Sequence, residues 1–297
     1  MGVERTTNPI FESNKKYNQD DYRDYAELCF ERFGDWVKYW ITLNEPWSYS
    51  TGGYATGNFA PGRCSSWQQL NCSGGDSGVE PYLVTHHQLL AHSAAVKLYK
   101  DKYQASQNGK IGITLSTNWM VPFSNETIHR DAVVRALDFH FGWFMNPLTF
   151  GDYPYAMRSL VGNRLPKFSA EESNMLKGSF DFLGLNYYTS NYVVHAPESN
   201  IINVSYITDS QTNLTYERNG VPIGPKGASN WLYVYPRGIR DLLLYIKQNY
   251  GKPIIYITEN GMDEINDATL SLEEALEDNM RVEYYFHHLN QLQRAIR

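Results

Sequence analysis

The amino-acid sequence predicts an α/β fold of the barrel type, here a partial barrel with about four parallel strands and flanking helices. Three observations support this prediction. Four short apolar runs lack polar alternation, which is typical of strands that are buried on both faces. Helical patterns separate the four runs, as the crossovers of a parallel sheet require. Polar side chains follow the runs, and a barrel builds its functional site at the carboxyl ends of its strands.

The elements follow one another in a single predicted domain, residues 20–297, behind a polar and aperiodic tail, residues 1–19. The four apolar runs predict strands at 37–43, 110–116, 181–189 and 253–258. Amphipathic patterns predict helices at 20–34, 79–104, 127–145, 236–250 and 272–296. Acidic residues open the first helix and a glycine closes it, while a proline lies in the first turn of the second. A glycine-rich loop is predicted at 47–78, and a long, partly β insertion at 190–235.

The composition of the chain limits the partners that it can bind. The 297 residues carry 26 Lys and Arg and 32 Asp and Glu, so the net charge is −6. A negative charge without a long basic run disfavours nucleic acid, and no apolar stretch reaches the roughly 20 residues of a membrane span. No glycine-rich nucleotide motif follows a strand, and the histidines lack a metal-binding spacing. We therefore expect a small-molecule partner and no cofactor, metal, nucleic acid or membrane.

The cysteines and glycosylation sequons indicate passage through an oxidising secretory compartment. Cys29 is expected to be a small buried hydrophobe in its helix, whereas Cys64 and Cys72 flank a short loop that a disulfide could close. Four Asn-x-Ser/Thr sequons lie in polar, loop-like sequence, at Asn71, Asn125, Asn203 and Asn213. The N-terminus has no apolar signal-peptide core, so we expect that the natural N-terminal segment is absent from this sequence.

Two glutamates follow apolar runs, Glu45 after the first run and Glu259 at the end of the fourth. Taken singly, each is most simply a solvated loop residue, because Glu is rarely buried without a partner. On one face of a barrel, however, the pair would suit glycosidic-bond hydrolysis, which needs one protonated carboxyl and one carboxylate. Carboxyl groups about 5–5.5 Å apart lead to retention of configuration, and a wider spacing leads to inversion. The sequence supplies the pair but not the distance between its members.

Both glutamates lie in motifs that resemble the two active-site signatures of family-1 β-glycosidases. These motifs are TLNEP at 42–46 and ITENG at 257–261. Further segments resemble the plant β-glucosidases of that family, namely APGRC at 60–64, NCSGGDS at 71–77, EPY at 80–82, DFLGLNYYT at 181–189 and WLYVYP at 231–236. The resemblance runs from about residue 20 to the C-terminal end of the sequence. It implies a (β/α)8 TIM barrel that hydrolyses O-β-glucosides.

The resemblance also implies a role for each residue at the ends of the strands. Glu45 would be the general acid/base, and Glu259 the nucleophile of a retaining mechanism with a covalent glucosyl-enzyme intermediate. Asn44 would hydrogen-bond the sugar 2-hydroxyl, a contact that strengthens at the transition state. Tyr188 would hold Glu259 through its phenol, with Asn186 nearby. The substrates would be plant secondary-metabolite glucosides, with cyanogenic, alkaloid, phenolic and terpenoid aglycones all open.

Three further features of the family map onto this chain. Trp231 matches the tryptophan against which the family stacks the aglycone, although core packing is the alternative for a lone tryptophan. The disulfide of the family maps onto Cys64 and Cys72. The family also follows the secretory pathway, to the extracellular space, the vacuole or the ER body.

The family barrel has eight strands, and the four apolar runs resemble the fourth to the seventh. Two strand edges would then stay unpaired, and such edges favour a homo-oligomer or another association. Losing the sugar contacts made by other strands would weaken transition-state stabilisation even with both glutamates present. Two hypotheses follow: a retaining β-glucosidase, or a catalytically inactive family-1 paralogue or fragment with a binding or assembly role.

Overall fold

A computed structural model describes residues 15–197 and 203–297 of the chain. The strands are β1 (Tyr39–Asn44), β2 (Lys110–Ser116), β3 (Trp119–Pro122), β4 (Phe182–Asn186), β5 (Ser190–His195), β6 (Thr212–Thr215), β7 (Glu217–Arg218), β8 (Val221–Pro222) and β9 (Ile255–Glu259). The helices are α1 (Lys15–Phe33), α2 (Pro46–Tyr54), α3 (Glu80–Leu98), α4 (Gln104–Gln107), α5 (Thr127–Leu137), α6 (Trp143–Phe150), α7 (Tyr155–Val161), α8 (Ala170–Leu176), α9 (Tyr206–Asp209), α10 (Arg237–Asn249), α11 (Leu272–Leu276) and α12 (Asn279–Ile296). None of the helices within these described ranges is both long and apolar enough to cross a membrane.

Four strands form one parallel sheet in the order β1-β2-β4-β9. They correspond to the four apolar runs, and helical segments connect them, so the predicted partial barrel of four parallel strands is confirmed. The register of the sheet brings the carboxyl ends of the strands together. Asn44 lies opposite Thr114, and Asn186 lies opposite both Ser116 and Glu259.

A smaller mixed sheet continues from the carboxyl ends of the main sheet. In it, β5 pairs parallel with β3 and antiparallel with β6, while β7 and β8 form a separate hairpin. β3 begins three residues after β2 ends, and β5 begins four residues after β4 ends. The partial β structure predicted for residues 190–235 is therefore present, and it extends one side of the main sheet beyond the strand ends.

The main core lies between the parallel sheet and the helices. Ile113 of β2 and Leu185 of β4 are fully buried and belong to the same cluster as Trp143 of α6. Burying one such aliphatic side chain contributes about 1.5–3 kcal/mol relative to leaving it exposed. Gly184 allows β4 to approach its neighbours closely, because a Cβ there would lie 2.2 Å from Thr114 Oγ1. Apolar runs without alternation arise here because both faces of β2 and β4 are covered.

The helices differ from the sequence prediction mainly at their bounds. α1 begins at Lys15, so residues 15–19 are helical and not part of a tail, because no proline or glycine interrupts them. Residues 1–14 of the predicted tail lie outside the described residues. The start of the predicted loop 47–78 is α2, since Pro46 occupies its first helical turn and outweighs the two glycines that follow. The predicted last helix is divided into α11 and α12 because Ser271 and Asp278 each cap a helix start.

The long helices that the sequence predicts also contain turns of π-helix. These turns span Tyr99–Tyr103 between α3 and α4, and Asp138–Gly142 between α5 and α6. The second turn carries two aromatic residues that face the carboxyl ends of the sheet, Phe139 and His140. Such single-turn bulges are frequent at functional sites.

Candidate active site

Glu45 lies at the junction of β1 and α2. Its backbone angles are φ 47° and ψ 55°, in the left-handed region that a residue with a side chain adopts at a cost of about 1–3 kcal/mol. The Glu45 N–H donates a hydrogen bond of 3.0 Å to the carbonyl oxygen of Thr114 in β2. Pro46 then starts α2 directly. The tight turn therefore fixes the Glu45 carboxyl group at the end of its strand.

Asn186, at the end of β4, holds the Glu45 carboxyl group. Its Nδ2 donates to Glu45 Oε1 at 2.8 Å and to Asn44 Oδ1 at 3.2 Å. The hydroxyl of Thr258 in β9 donates to Asn186 Oδ1 at 2.6 Å and so sets the orientation of the amide. Ser48 Oγ donates to the other carboxyl oxygen, Glu45 Oε2, at 2.9 Å. Side chains from β1, β4 and β9 are thereby joined in one network.

Glu259, the last residue of β9, is held by two residues of the loop that follows β4. The Tyr188 hydroxyl donates a hydrogen bond to Glu259 Oε2. Burial and the neighbouring Glu259 raise the pKa of Tyr188, so the phenol stays protonated and remains a donor. The N–H of Tyr187 donates to the Glu259 carbonyl oxygen at 3.0 Å, which fixes the backbone as well.

Asn260 and Tyr284 form hydrogen bonds to the backbone of the loop after β4, at Tyr187 and Tyr188. The sequence analysis did not predict this network. Asn260 Nδ2 donates to the Tyr187 carbonyl oxygen at 2.7 Å and to the Tyr284 hydroxyl at 3.0 Å. The Tyr284 hydroxyl donates in turn to the Tyr188 carbonyl oxygen at 3.1 Å. Asn260 belongs to the second motif, but Tyr284 lies on α12 and gives no local signal in the sequence.

The two glutamates line one cavity of about 1030 Å³, together with Asn186, Tyr188 and Trp231. This volume is at the upper end of the range of about 300–1,000 Å³ that holds a drug-sized ligand. The Trp231 side chain is 46% exposed, so it is not a core residue, and its ring lies edge-to-face on Tyr188 with centroids 5.9 Å apart. Asn44 adjoins this group through its hydrogen bond with Asn186. The structure thus brings all six predicted site residues together.

The wall of the cavity beyond the glutamates consists of aromatic residues from distant parts of the sequence. Trp47 Nε1 donates to the Tyr206 hydroxyl at 2.6 Å, and this hydroxyl donates to the Phe139 carbonyl oxygen at 2.8 Å. The Trp47 ring stacks on the His140 ring, with centroids 3.9 Å apart. Burial lowers the pKa of His140 to about 3, so its imidazole is neutral near pH 7. The sequence analysis singled out none of these residues, although Trp47 lies two residues after Glu45.

The three cysteines differ in bonding, and the four sequon asparagines differ in exposure. Cys64 and Cys72 form a disulfide with a Cα–Cα distance of 5.7 Å, so the bond that the resemblance implies is present. Cys29 is free and only partly buried. Asn203 is half-buried. The other three sequon asparagines are exposed, and these are Asn71, Asn125 and Asn213.

Comparison with known protein families matches residues 11–297 to glycosyl hydrolase family 1. The chain belongs to this family. Family-1 glycosidases are (β/α)8 barrels, so the four-stranded parallel sheet is part of such a barrel. The carboxylate pair of this family-1 chain accordingly lies where a barrel places its active site, at the carboxyl ends of the strands.

The curated relatives of the chain include plant β-glucosidases. β-Glucosidase 12 of Oryza sativa is 64% identical over 278 residues, which cover 94% of this family-1 chain and 54% of the relative. The cyanogenic β-glucosidase of Trifolium repens is 62% identical over 252 residues, or 84% of the chain and 59% of the relative. The family-1 chain therefore spans little more than half the length of these curated relatives.

Solved structures agree with this assignment. The crystal structure of the rice β-glucosidase Os3BGlu6 matches with a TM-score of 0.93 and 46% identity, over 96% of this chain and 60% of that one. A mutant of Os3BGlu6 in a covalent complex with Glc from GA4GE also matches with a TM-score of 0.93. The matched part of this family-1 chain is thus close in geometry to an enzyme in which such a covalent complex has been captured.

Proposed function

We propose that this chain is a retaining β-glucosidase that hydrolyses O-β-glucosides through a covalent glucosyl-enzyme intermediate. One observation carries the proposal: Glu45 and Glu259 come from the two outer strands of the parallel sheet and line one cavity. Each is held by a side chain of the central strand β4 or of the loop after it, Asn186 for Glu45 and Tyr188 for Glu259. Two carboxyl groups that face one cavity are the chemical equipment of glycoside hydrolysis.

In the proposed mechanism, Glu259 is the nucleophile and Glu45 is the acid and then the base. Tyr188 donates to Glu259 Oε2, which leaves Oε1 to attack the anomeric carbon. Glu45 gives its proton to the glycosidic oxygen as the aglycone leaves, and a glucosyl ester forms on Glu259. Glu45 then removes a proton from water, which attacks the anomeric carbon and releases glucose and the Glu259 carboxylate. The hydrogen bonds of Asn186 and Ser48 hold the Glu45 carboxyl group in position for both steps.

The substrate contacts of the proposal are Asn44 for the sugar 2-hydroxyl and Trp231 for stacking with the aglycone. The half-exposed ring of Trp231 at the cavity supports the second role. The names of the relatives, such as cyanogenic β-glucosidase and raucaffricine-O-β-D-glucosidase, show that members of the family differ in aglycone. We therefore propose plant secondary-metabolite glucosides as the substrate class.

Hydrolysis of p-nitrophenyl β-glucoside by the purified 297-residue chain tests the proposal. We expect turnover that falls at least about 1,000-fold in Glu259→Gln, because the nucleophile is lost. Glu283→Gln, which removes an exposed carboxyl group on α12, is the matched control and keeps full activity. In Glu259→Gly, added azide is expected to restore turnover and yield a glucosyl azide of inverted configuration. A Glu259→Gly variant that azide cannot rescue contradicts the assignment of the nucleophile.

The second candidate is a catalytically inactive family-1 protein with a binding or assembly role. It is based on the described sheet, which contains four parallel strands, whereas a family-1 barrel has eight. A chain that folds cooperatively and binds a glucoside, yet shows no turnover that depends on Glu259, would support this candidate over the first.

We also propose that two copies of the chain associate through the open strand edges. β1 and β9 each have one neighbour among the described strands, and Ile41 and Tyr256 on them are 43% and 38% exposed. Light scattering during size-exclusion chromatography should give the mass of a dimer at high concentration, and Ile41→Lys should give a monomer. A wild-type chain that stays monomeric at all concentrations contradicts this association.

For the compartment, we propose the secretory pathway, ending in the extracellular space, the vacuole or the ER body. The Cys64–Cys72 disulfide and the exposed sequons at Asn71, Asn125 and Asn213 support it. Mass spectrometry of the protein from its source tissue should find N-glycans on these asparagines. Complete absence of glycans from all four sequon peptides contradicts the proposal.

A further inference from the structure

Tyr284 on α12 contacts the residue that follows the proposed nucleophile, yet the proposed mechanism assigns it no role. All of α12 lies within the described residues, and its two buried side chains are those of Tyr284 and His288, each 1% exposed. The Tyr284 hydroxyl reaches the Tyr188 carbonyl oxygen, and the centroids of the His288 and Tyr187 rings are 5.9 Å apart. The buried side of α12 is therefore directed at the loop after β4, residues 187–189.

Hydrogen bonds join Tyr284 to both sides of the contact between Tyr188 and Glu259. The Tyr284 hydroxyl donates to the Tyr188 carbonyl oxygen at 3.1 Å and accepts from Asn260 Nδ2 at 3.0 Å. Asn260 follows Glu259 directly in the chain, and the Tyr188 hydroxyl donates to Glu259 Oε2. The four residues thus form a closed ring of contacts, in which Tyr284 connects the backbone of Tyr188 to the residue after the nucleophile.

The Tyr188 side chain depends on its backbone for its direction. Tyr187 and Thr189, on either side of it, are fully buried, whereas Tyr188 is half-buried and lines the cavity. A side chain that faces a cavity has fewer packing partners than one in the core, so its rotamer and its backbone together decide where the phenol points. The Tyr284 hydroxyl holds that backbone at the Tyr188 carbonyl group.

Tyr284 is itself fixed by His288, one helical turn further along α12. The two rings stack with centroids 3.8 Å apart, and His288 Nδ1 lies 2.7 Å from the Tyr284 carbonyl oxygen. Burial lowers the pKa of His288 to about 4, so the imidazole is neutral near pH 7. Burial also raises the pKa of Tyr284, so its phenol stays protonated and remains a donor. A buried donor beside a stacked ring can hold its partner without reorganising.

We propose that Tyr284 is a positioning residue that acts through the Tyr188 phenol to hold Glu259 in the geometry for attack. The inference rests on the proposed function for the role of Glu259. It assigns a part in the reaction to α12, although no residue of α12 lines the cavity among the described residues. Such a part is effective because a reacting group that is misplaced by about 1 Å can lose roughly 100-fold in rate.

The variant Tyr284→Phe tests the proposal, since it removes the hydroxyl and keeps the ring that stacks on His288. We expect kcat for p-nitrophenyl β-glucoside to fall about fivefold to tenfold, as the loss of one buried hydrogen bond predicts. KM should stay within about twofold, because Tyr284 does not line the cavity. Tyr285→Phe is the matched control: it removes a neighbouring hydroxyl that donates to the Asn260 carbonyl oxygen, and kcat should change by less than about threefold.

A double-mutant cycle separates positioning from a general effect on stability. In a Tyr188→Phe background the phenol that Tyr284 positions no longer reaches Glu259, so adding Tyr284→Phe should change kcat by less than about twofold. A residue that only stabilises the fold would instead lower kcat by the same factor in both backgrounds. Equal losses in the two backgrounds, or an unchanged kcat in Tyr284→Phe alone, overturn the inference.

Hydrogen exchange at single amides tests the same contact without turnover. The Tyr187 N–H donates to the Glu259 carbonyl oxygen at 3.0 Å, and the Leu183 N–H, near the other end of β4, donates to the Ile254 carbonyl oxygen at 2.8 Å. We expect Tyr284→Phe to speed exchange at Tyr187 at least about fivefold and to leave Leu183 within about twofold. Equal acceleration at both amides indicates a loss of global stability and overturns the inference.

The two measurements keep a failure of this inference apart from a failure of the proposed hydrolysis. If the wild-type chain shows no turnover, faster exchange at Tyr187 alone still supports the inference, and unchanged exchange overturns it. If hydrolysis depends on Glu259 but Tyr284→Phe alters neither kcat nor exchange at Tyr187, this inference is overturned and the proposed hydrolysis stands.

Discussion

The central and the outer strands of the parallel sheet differ in burial, although all four are apolar in sequence. β2 and β4 are buried along nearly their whole length, whereas β1 and β9 alternate between exposed and partly buried residues. Tyr39 on β1 is 58% exposed. Both proposed catalytic glutamates belong to or follow the outer strands, yet the side chains that hold them, Asn186 and Tyr188, come from β4 and the loop after it. The central strands therefore contribute the most buried part of the sheet, and β4 with the loop after it also fixes the positions of both glutamates.

The largest expected effect tests this difference in burial directly. Leu185 of β4 is fully buried, so Leu185→Ala should lower the free energy of unfolding by about 2–5 kcal/mol. Ile41 of β1 is 43% exposed, so Ile41→Ala should lower it by less than about 1 kcal/mol. Urea denaturation of both variants gives the two values. Both values refer to low concentration, where the chain is monomeric, and a loss in Ile41→Ala as large as that in Leu185→Ala would contradict the difference in burial.

The second-largest expected effect concerns the hydrogen bond by which Tyr188 holds Glu259. Tyr188→Phe removes the hydrogen bond to Glu259, and charge-assisted bonds of this kind contribute about 1.5–3 kcal/mol, so kcat should fall about 10–100-fold. Tyr285→Phe is the control, because its exposed hydroxyl donates to the Asn260 carbonyl oxygen and not to either glutamate among the described residues, and it should change kcat by less than about threefold. Similar losses of kcat in both variants would show that the central strand has no special role in holding the pair.

The third effect concerns the partly buried side of β1, which packs against α3. His92 of α3 is fully buried and lies 2.6 Å from Thr42 Oγ1 on β1, and burial lowers the pKa of His92 to about 4. Between pH 6.5 and 4 the unfolded chain protonates this histidine while the folded chain does not. Stability should therefore fall as the pH drops, by about 2 kcal/mol for this group between pH 7 and pH 5.

Urea denaturation at pH 7 and pH 5 measures this effect. The loss of stability over this interval should be about 2 kcal/mol smaller in His92→Gln than in the wild type. The exposed His287→Gln should leave the loss unchanged. An unaltered pH dependence in His92→Gln would mean that the helix-facing side of β1 admits water.

The elements that the sequence predicted well are those with a local signal. The four strands are continuous apolar runs, so their positions follow from the hydrophobic pattern. Glu45 and Glu259 lie at the ends of two of these runs within short motifs, so they could be identified as well. The aromatic wall is different, because its contacts join residues far apart: Trp47 and Tyr206 are 159 positions apart. Tyr284 likewise reaches Asn260 only through the packing of α12. Such contacts depend on tertiary geometry, which no local periodicity encodes.

The smallest expected effect on the free energy of unfolding concerns two helices, α8 and α11, that begin with the same capping motif. Ser169 of α8 and Ser271 of α11 each form a capping box with a glutamate three residues later. α8 buries Leu176 completely in the main core, whereas α11, in the segment after β9, has no buried residue. Ser169→Ala should therefore lower the free energy of unfolding by about 1 kcal/mol, and Ser271→Ala by at most a few tenths, roughly 0.3 kcal/mol.

The reason is that a cap stabilises the whole fold only when its helix unfolds together with the core. α11 can open locally without disturbing the parallel sheet, so losing its cap changes a local equilibrium that global denaturation hardly detects. Urea denaturation gives the global values, and hydrogen exchange of the α11 amides gives the local one, which should speed up in Ser271→Ala. Equal global losses in the two variants would show that the segment after β9 is coupled to the core. The difference in burial between central and outer strands would then not extend to α11, which follows the outer strand β9 and would unfold together with the core.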